Sequence, residues 1–302
     1  MLDVLVTCVA YSKRPARFPQ VRGYYLAQHL RRLGLRAEFR PLPLGPTRCE
    51  VLIWSDYQSP FERFERRLAG ALSEVRADRL FCMLDYSLGE RDHFSRAYSE
   101  WFAARGGVLC QGLESPLAPY EHWIGVGVDT DVVPTAGAAP DGVLFDLTGS
   151  SRRNVAARFD TDALPAIRHV LPDARLIGSG PPEASIVRAF DTWVPYDQPH
   201  SAYVAATLEG CFAVVTGGFE SLGLLLAEAQ VAGACVVSGA PDVKDWVVCP
   251  AAKVQFRRAD RDSLVGALQE ARRRDPGRIA GEARARFDYS AVARRTREAV
   301  GL

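Results

Sequence analysis

CFAVVTGGFESLGLLLAEAQVAGACVVSG, residues 211–239, runs from a short apolar segment through a glycine pair into a helical stretch and out into a second apolar run. The pattern predicts a strand at 212–216, a loop, a helix at 222–232 and a strand at 235–238. Continuous apolar strands such as CFAVVT suit a parallel sheet covered on both faces, whereas strict alternation would suit a half-exposed antiparallel one. In open α/β sheets ligands bind beyond the carboxyl ends of the strands, and a glycine-rich turn into a helix lets backbone N–H groups approach a phosphate. Gly217, Gly218 and the turn before Leu222 are placed for that.

Two carboxylates, Glu220 and Glu228, flank the start of this helix with seven residues between them. At the helical rise they stand about 12 Å apart if both lie on the helix. The acid and base of a glycosidase flank one bond at about 5 to 9 Å, so these two do not share one reacting atom in that way. They can hold the two ends of an extended ligand whose anionic middle rests on the positive helix terminus. A sugar, a diphosphate and a ribose have that order and about that length.

Working outward, apolar runs alternate with helical periodicity along the whole chain. Strands are expected at residues 2–10, 37–42, 51–54, 80–84 and 108–110, with helices at 21–33, 61–75 and 92–105. PTAGAAPDG, residues 134–142, breaks the pattern with small residues and proline, and reads as a linker. Beyond it strands are expected at 143–147, 174–177, 190–194, 212–216, 235–238 and 253–256. Helices are expected at 161–170, 201–208, 222–232, 263–273 and 289–300. The fold class is therefore α/β, with two doubly wound Rossmann-like domains.

At 302 residues the chain is of the size at which two domains become the default. Its 37 basic residues are balanced by 36 acidic ones along the whole length, which argues against nucleic acid as a partner. The seven cysteines lack CxxC spacing and mostly sit in apolar runs, as expected of buried thiols in a reducing cytoplasm. The chain opens on a strand-like segment with no cleavable leader pattern, and no run approaches a membrane span, so a cytoplasmic location is expected. No metal-ligand spacing, P-loop or GxSxG motif occurs in the sequence.

FESLGLLLAEAQVAGACVV, residues 219–237, resembles the Glu, seven residues, Glu motif of the family 4 retaining glycosyltransferases. DARLIGSGPPE (173–183) resembles that family's C-terminal strand and GxG turn, and IGVGVDTDVVP (124–134) its interdomain segment. ARFDYSAVARRTREA (285–299) is similar to its closing helix. Order and spacing agree over about residues 124–300. The N-terminal half resembles the family loosely, through RGYYLAQHLRRLGLRAEF (22–39).

The resemblance implies the GT-B fold, with two Rossmann-like domains facing a central cleft. Residues 1–135 would form the acceptor-side domain, 140–288 the nucleotide-sugar domain and 289–302 the closing helix. It implies a nucleotide-diphosphate sugar (UDP-, GDP- or TDP-) as co-substrate, a small-molecule acceptor, and no separate cofactor or metal. Glu220 would bond the donor sugar and Glu228 the ribose. Gly218, Phe219 and the backbone of Ser221, Leu222, Gly223 and Leu224 would surround the distal phosphate. Gly178, Ser179, Gly180 and Val194 would frame the base. Family members neutralise the diphosphate with an Arg and a Lys about five residues apart; TGSSRRN, residues 148–154, offers Arg152 or Arg153 and lacks that spacing. This departure leaves open a non-catalytic nucleotide-binding or partner subunit, or a nucleotide-sugar epimerase or hydrolase on the same fold.

On the acceptor side the candidates are Asp56 and Tyr57 after VLIW, Asp85 and Tyr86 after FCML, His93 and Arg22. The strand-end positions of the two Asp-Tyr pairs suit acceptor contact. The carboxylates of DTD, residues 129–131, fit a turn cap better than a metal site.

Overall fold

The first strand, β1 (Leu2–Thr7), and its neighbour β3 (Thr47–Trp54) each end in a run of four buried residues, the burial expected of central parallel strands. The computed structural model describes residues 1–8, 18–55, 69–70, 73–86, 100–113, 116–135, 137, 140–147, 163–180, 184–195, 198–216, 223–239, 246–257 and 260–302. The chain divides into two units, Met1–Gly127 with Asp288–Leu302, and Val128–Phe287.

Unit 1 adds α1 (Phe18–Arg32), β2 (Ala37–Phe39), β4 (Val75–Tyr86), β5 (Gly106–Gly112) and β6 (Glu121–Trp123). Its sheet has the order β2-β1-β3-β4-β5-β6, every neighbouring pair parallel. Leu5, Leu52, Trp54, Cys82, Phe102 and Cys110 lie in one buried cluster of its core. Val75, expected to end a helix, instead opens β4 opposite Thr47, where its β-branched side chain is buried at 4% exposure. The three-residue β6 is too short for periodicity to reveal, and it forms by pairing with β5.

Unit 2 holds β7 (Gly142–Asp146), α2 (Ala163–Val170), β8 (Arg175–Gly180), α3 (Ala184–Val187) and β9 (Thr192–Pro195). It continues through α4 (His200–Leu208), β10 (Cys211–Thr216), α5 (Leu224–Val231), β11 (Cys235–Ser238), β12 (Lys253–Gln255), α6 (Arg261–Arg272) and α7 (Pro276–Phe287). The all-parallel order β12-β11-β10-β7-β8-β9 is the Rossmann order, with β7 and β10 as adjacent central strands. Connections leave β7 and β10 in opposite directions, so the switch point lies at their carboxyl ends. Helix α7 has no clear helical period in the sequence because it carries Gly277 in its first turn and Gly281 in its interior, and its buried stripe is narrow, Ile279, Ala283 and Phe287. Proline at its first position and Asp275, whose Oδ1 accepts from Gly277 N at 2.9 Å, start it.

The expected domain limits at residues 135 and 140 differ from the observed division. Val128 and Val133 are buried in unit 2, and Val128 N donates to Phe287 O at 2.9 Å, so the chain changes units before the Pro/Ala/Gly stretch. The last helix, α8 (Tyr289–Ala299), belongs to unit 1. Tyr289 donates its hydroxyl to Arg22 O at 2.9 Å and stacks on His29 with ring centres 5.0 Å apart. Arg295 donates to Ile124 O at 2.7 Å while its guanidinium lies over the Trp123 ring. No helix among the described residues is long and apolar enough to cross a membrane.

Candidate functional site

Helix α5 starts beside the unit 2 switch point. Gly223 caps it in the left-handed region at φ +69°, where an added Cβ would also come within 3.0 Å of Val247. Leu224 begins the helix and Glu228 lies one turn further on, buried at 3% exposure. Burial of an ionised carboxylate is costly unless a cation or donors meet it. His200, at the start of α4, brings Nε2 to 2.8 Å from Glu228 Oε1. Burial works against protonation of this imidazole. The charge and contact of Glu228, with a smaller contribution from Asp129, outweigh it and hold the pKa above its usual value. Asp129 is buried and accepts from Asp131 N at 3.1 Å, an Asx turn of the kind its sequence context suggested.

The other buried polar group of α5 has a structural task. Gln230 donates from Nε2 to Leu226 O and Val247 O at 2.7 and 2.8 Å, and its Oε1 accepts from Cys249 N at 2.7 Å. All its bonds go to backbone, whereas Glu228 meets an ionisable side chain.

Gly178, Ser179 and Gly180 form the end of β8 and not a turn, because the ladder with β7 and β9 extends through them. Ser179 stands in register with Val194, so the residues expected to frame a base do come together. A Cβ at Gly178 would lie 2.6 Å from the Trp193 ring, which leaves only glycine at that position. Tyr203, one turn after His200 on α4, hydrogen-bonds Ser179 Oγ with its hydroxyl at 2.5 Å. Helix α4 therefore touches both the end of β8 and Glu228. Gly218, Phe219, Glu220, Ser221, Leu222, Arg152 and Arg153 lie outside the described residues.

Unit 1 carries its own polar cluster at the carboxyl ends of its strands. Arg22 Nη1 lies 2.6 Å from Asp85 Oδ1 and donates to Gln111 Oε1 at 2.7 Å. Arg22, Asp85 and Gln111 are 4%, 3% and 2% exposed, with Thr7 and Ser55 buried at neighbouring strand ends. Tyr86 closes β4 opposite Gly112. Asp56, Tyr57 and His93 lie outside the described residues. Gln111, His200 and Tyr203 were missed by sequence reasoning. Gln111 sits at a strand end and could have been found by the rule that selected Asp85; the partnership of His200 with a glutamate 28 positions away could not.

No family model matches the chain, and no curated protein matches it in sequence. Solved structures do match it. Anabaena HepE, solved in complex with UDP and glucose, is 13% identical with a TM-score of 0.61, each chain covered over 100% of its length. Sucrose-phosphate synthase from Thermosynechococcus elongatus is 11% identical with a TM-score of 0.60, 97% of each chain covered. AviGT4, a glycosyltransferase involved in avilamycin A biosynthesis, is 15% identical with a TM-score of 0.52, covering 98% of this chain and 97% of its own. This chain has the GT-B fold. Similarity at this identity extends to the fold and not to individual side chains, so the GT-B site must be argued from the residues themselves.

Proposed function

We propose that this GT-B chain is a retaining glycosyltransferase that moves a hexosyl group from a nucleotide-diphosphate sugar to a small-molecule acceptor in a bacterial cytoplasm. The observation that carries the reading is Glu228, a buried carboxylate in the helix that follows the switch-point strand of a Rossmann-order sheet. It is supported by full-length likeness to HepE, solved with UDP and glucose, and an acceptor from natural-product biosynthesis is supported by likeness to AviGT4.

In this reading Glu228 accepts from the ribose hydroxyls, the end of β8 and Val194 frame the base, and Glu220 orients the sugar. The acceptor hydroxyl attacks the anomeric carbon on the face from which the diphosphate leaves. The bond from that carbon to the phosphate oxygen breaks, a bond to the acceptor oxygen forms, and the acceptor proton passes to the departing diphosphate. Arg152 or Arg153 and the amides at the start of α5 neutralise the charge growing on that group, without a metal. Catalysis then comes mainly from position and preorganised charge.

Calorimetric titration with UDP-, GDP- and TDP-sugars tests the reading, with transfer measured against a panel of hydroxylated acceptors. At least one donor is expected to bind and be consumed. Failure of every nucleotide to bind rejects the reading. Binding without transfer or slow donor hydrolysis would favour the non-catalytic subunit.

A further inference from the structure

We propose that His200 is the positioning residue for Glu228, holding its carboxylate in the orientation that receives a nucleotide's ribose hydroxyls. The proposal rests on the nucleotide-sugar reading and extends it to a residue outside the Glu, seven residues, Glu motif.

Its basis is geometric. Glu228 lies in the body of α5 at 3% exposure, and His200 Nε2 stands 2.8 Å from its Oε1. A carboxylate accepts only through its oxygens, so the direction in which each oxygen points decides whether two adjacent hydroxyls can both reach it. An imidazolium N–H held against one oxygen sets the plane in which the other oxygen points. The support extends to the base end of the site. His200 and Tyr203 are three residues apart on α4 and so share a face, and Tyr203 is bonded to Ser179 at the end of β8. One helix thus fixes Glu228 relative to the strand end that would frame the base.

Among the described residues, the charged groups acting on His200 include Glu228 from α5 and Asp129 from the segment before β7. Strand β9 brings no charged side chain, and β7 carries Asp146 at its end. Two carboxylates against one imidazole favour the imidazolium, in line with a pKa held above 6.5.

The test compares UDP and GDP with their 2′,3′-dideoxy forms, titrated calorimetrically into wild type, His200→Gln and His200→Asn at about pH 6 and about pH 8. For a nucleotide that binds, His200→Gln should weaken the ribose form about tenfold and leave the dideoxy form nearly unchanged. Wild-type affinity for the ribose form should fall from the lower to the higher pH, and that fall should vanish for the dideoxy form. The wild-type comparison needs no variant to fold. Equal weakening of both nucleotides, or no weakening of either with no pH effect in wild type, overturns the positioning role while leaving nucleotide binding intact. If neither UDP nor GDP binds to wild type, the nucleotide reading fails and takes this proposal with it.

Discussion

Arg22 and Asp85 form an ion pair of 2.6 Å with both side chains at most 4% exposed. One comes from α1, the other from the end of β4, and Gln111 at the end of β5 accepts a second bond from the same guanidinium nitrogen. A pair this deep is worth little against a well-packed apolar replacement, yet loss of one member strands the other's charge. Asp85→Ala is therefore expected to destabilise the protein by about 3 to 5 kcal/mol, measured by urea unfolding. The joint replacement Arg22→Met with Asp85→Leu should recover most of that loss. A mild effect of Asp85→Ala alone would show that water or a neighbouring group replaces the carboxylate.

Apart from β6, the strands of both sheets were legible because parallel strands buried on both faces are written as apolar runs: VLIW, GVLFD and CFAVVT need no partner to be recognised. Helix α7 was not, because Gly277 and Gly281 dilute its pattern and a stripe of three buried residues holds it. The domain limit was misplaced for a related reason. PTAGAAPDG looks like a linker by composition, but the change of unit is decided by where Val128 is buried. At the site, Glu228 was marked by its motif, whereas His200 acquires its meaning only when α4 is laid beside α5.

Removal of the Glu228 carboxylate separates its proposed ligand role from a packing role. Hydrogen bonds to a charged acceptor contribute about 1.5 to 3 kcal/mol, so Glu228→Ala should weaken the ribonucleotide roughly tenfold to a hundredfold. Titration of the variant with UDP and GDP checks this, alongside thermal unfolding to establish that the variant is folded. Unchanged affinity in a folded variant rules out the ribose contact.

The raised pKa of His200 makes a separate claim about stability. A histidine whose folded-state pKa exceeds its unfolded value contributes stability that is complete below about pH 6.5 and is lost as pH rises through the folded value. The stability difference between wild type and His200→Gln should therefore be largest on the acidic side of that window and shrink as pH rises through it. Denaturant midpoints for both proteins between about pH 5.5 and about pH 8.5 provide the comparison. A difference that grows with pH would mean that the imidazole is buried neutral.

Gly178 offers a test of the strand end expected to frame the base. Its missing Cβ leaves room for Trp193, whose ring atoms would lie 2.6 Å from a methyl group there. Gly178→Ala must displace the indole or the strand carrying it, at a cost of about 1 to 3 kcal/mol. Val194 follows Trp193 directly, so the same displacement should reach the backbone assigned to the base. The expected outcome is a lower unfolding midpoint together with weaker nucleotide binding; lost stability with unaltered affinity would detach β9 from the ligand.

Glu220 distinguishes a catalyst from a nucleotide-binding relative. In the proposed function it serves the sugar end of an extended donor, while Glu228 serves the ribose. An interaction with the sugar alone should leave affinity for the free nucleoside diphosphate almost unchanged in Glu220→Ala. The same interaction orients the ring as the anomeric carbon gains positive character, so it counts more in the transition state than in the bound donor and its loss appears in kcat. Glu220→Ala is therefore expected to bind UDP or GDP like wild type and to lose transfer by at least about a hundredfold. Single-turnover assays and nucleotide titrations on the same preparation check both halves. Full transfer by the variant removes Glu220 from the mechanism; loss of nucleotide affinity with transfer would place it at the nucleotide and undo the division of labour between the two carboxylates.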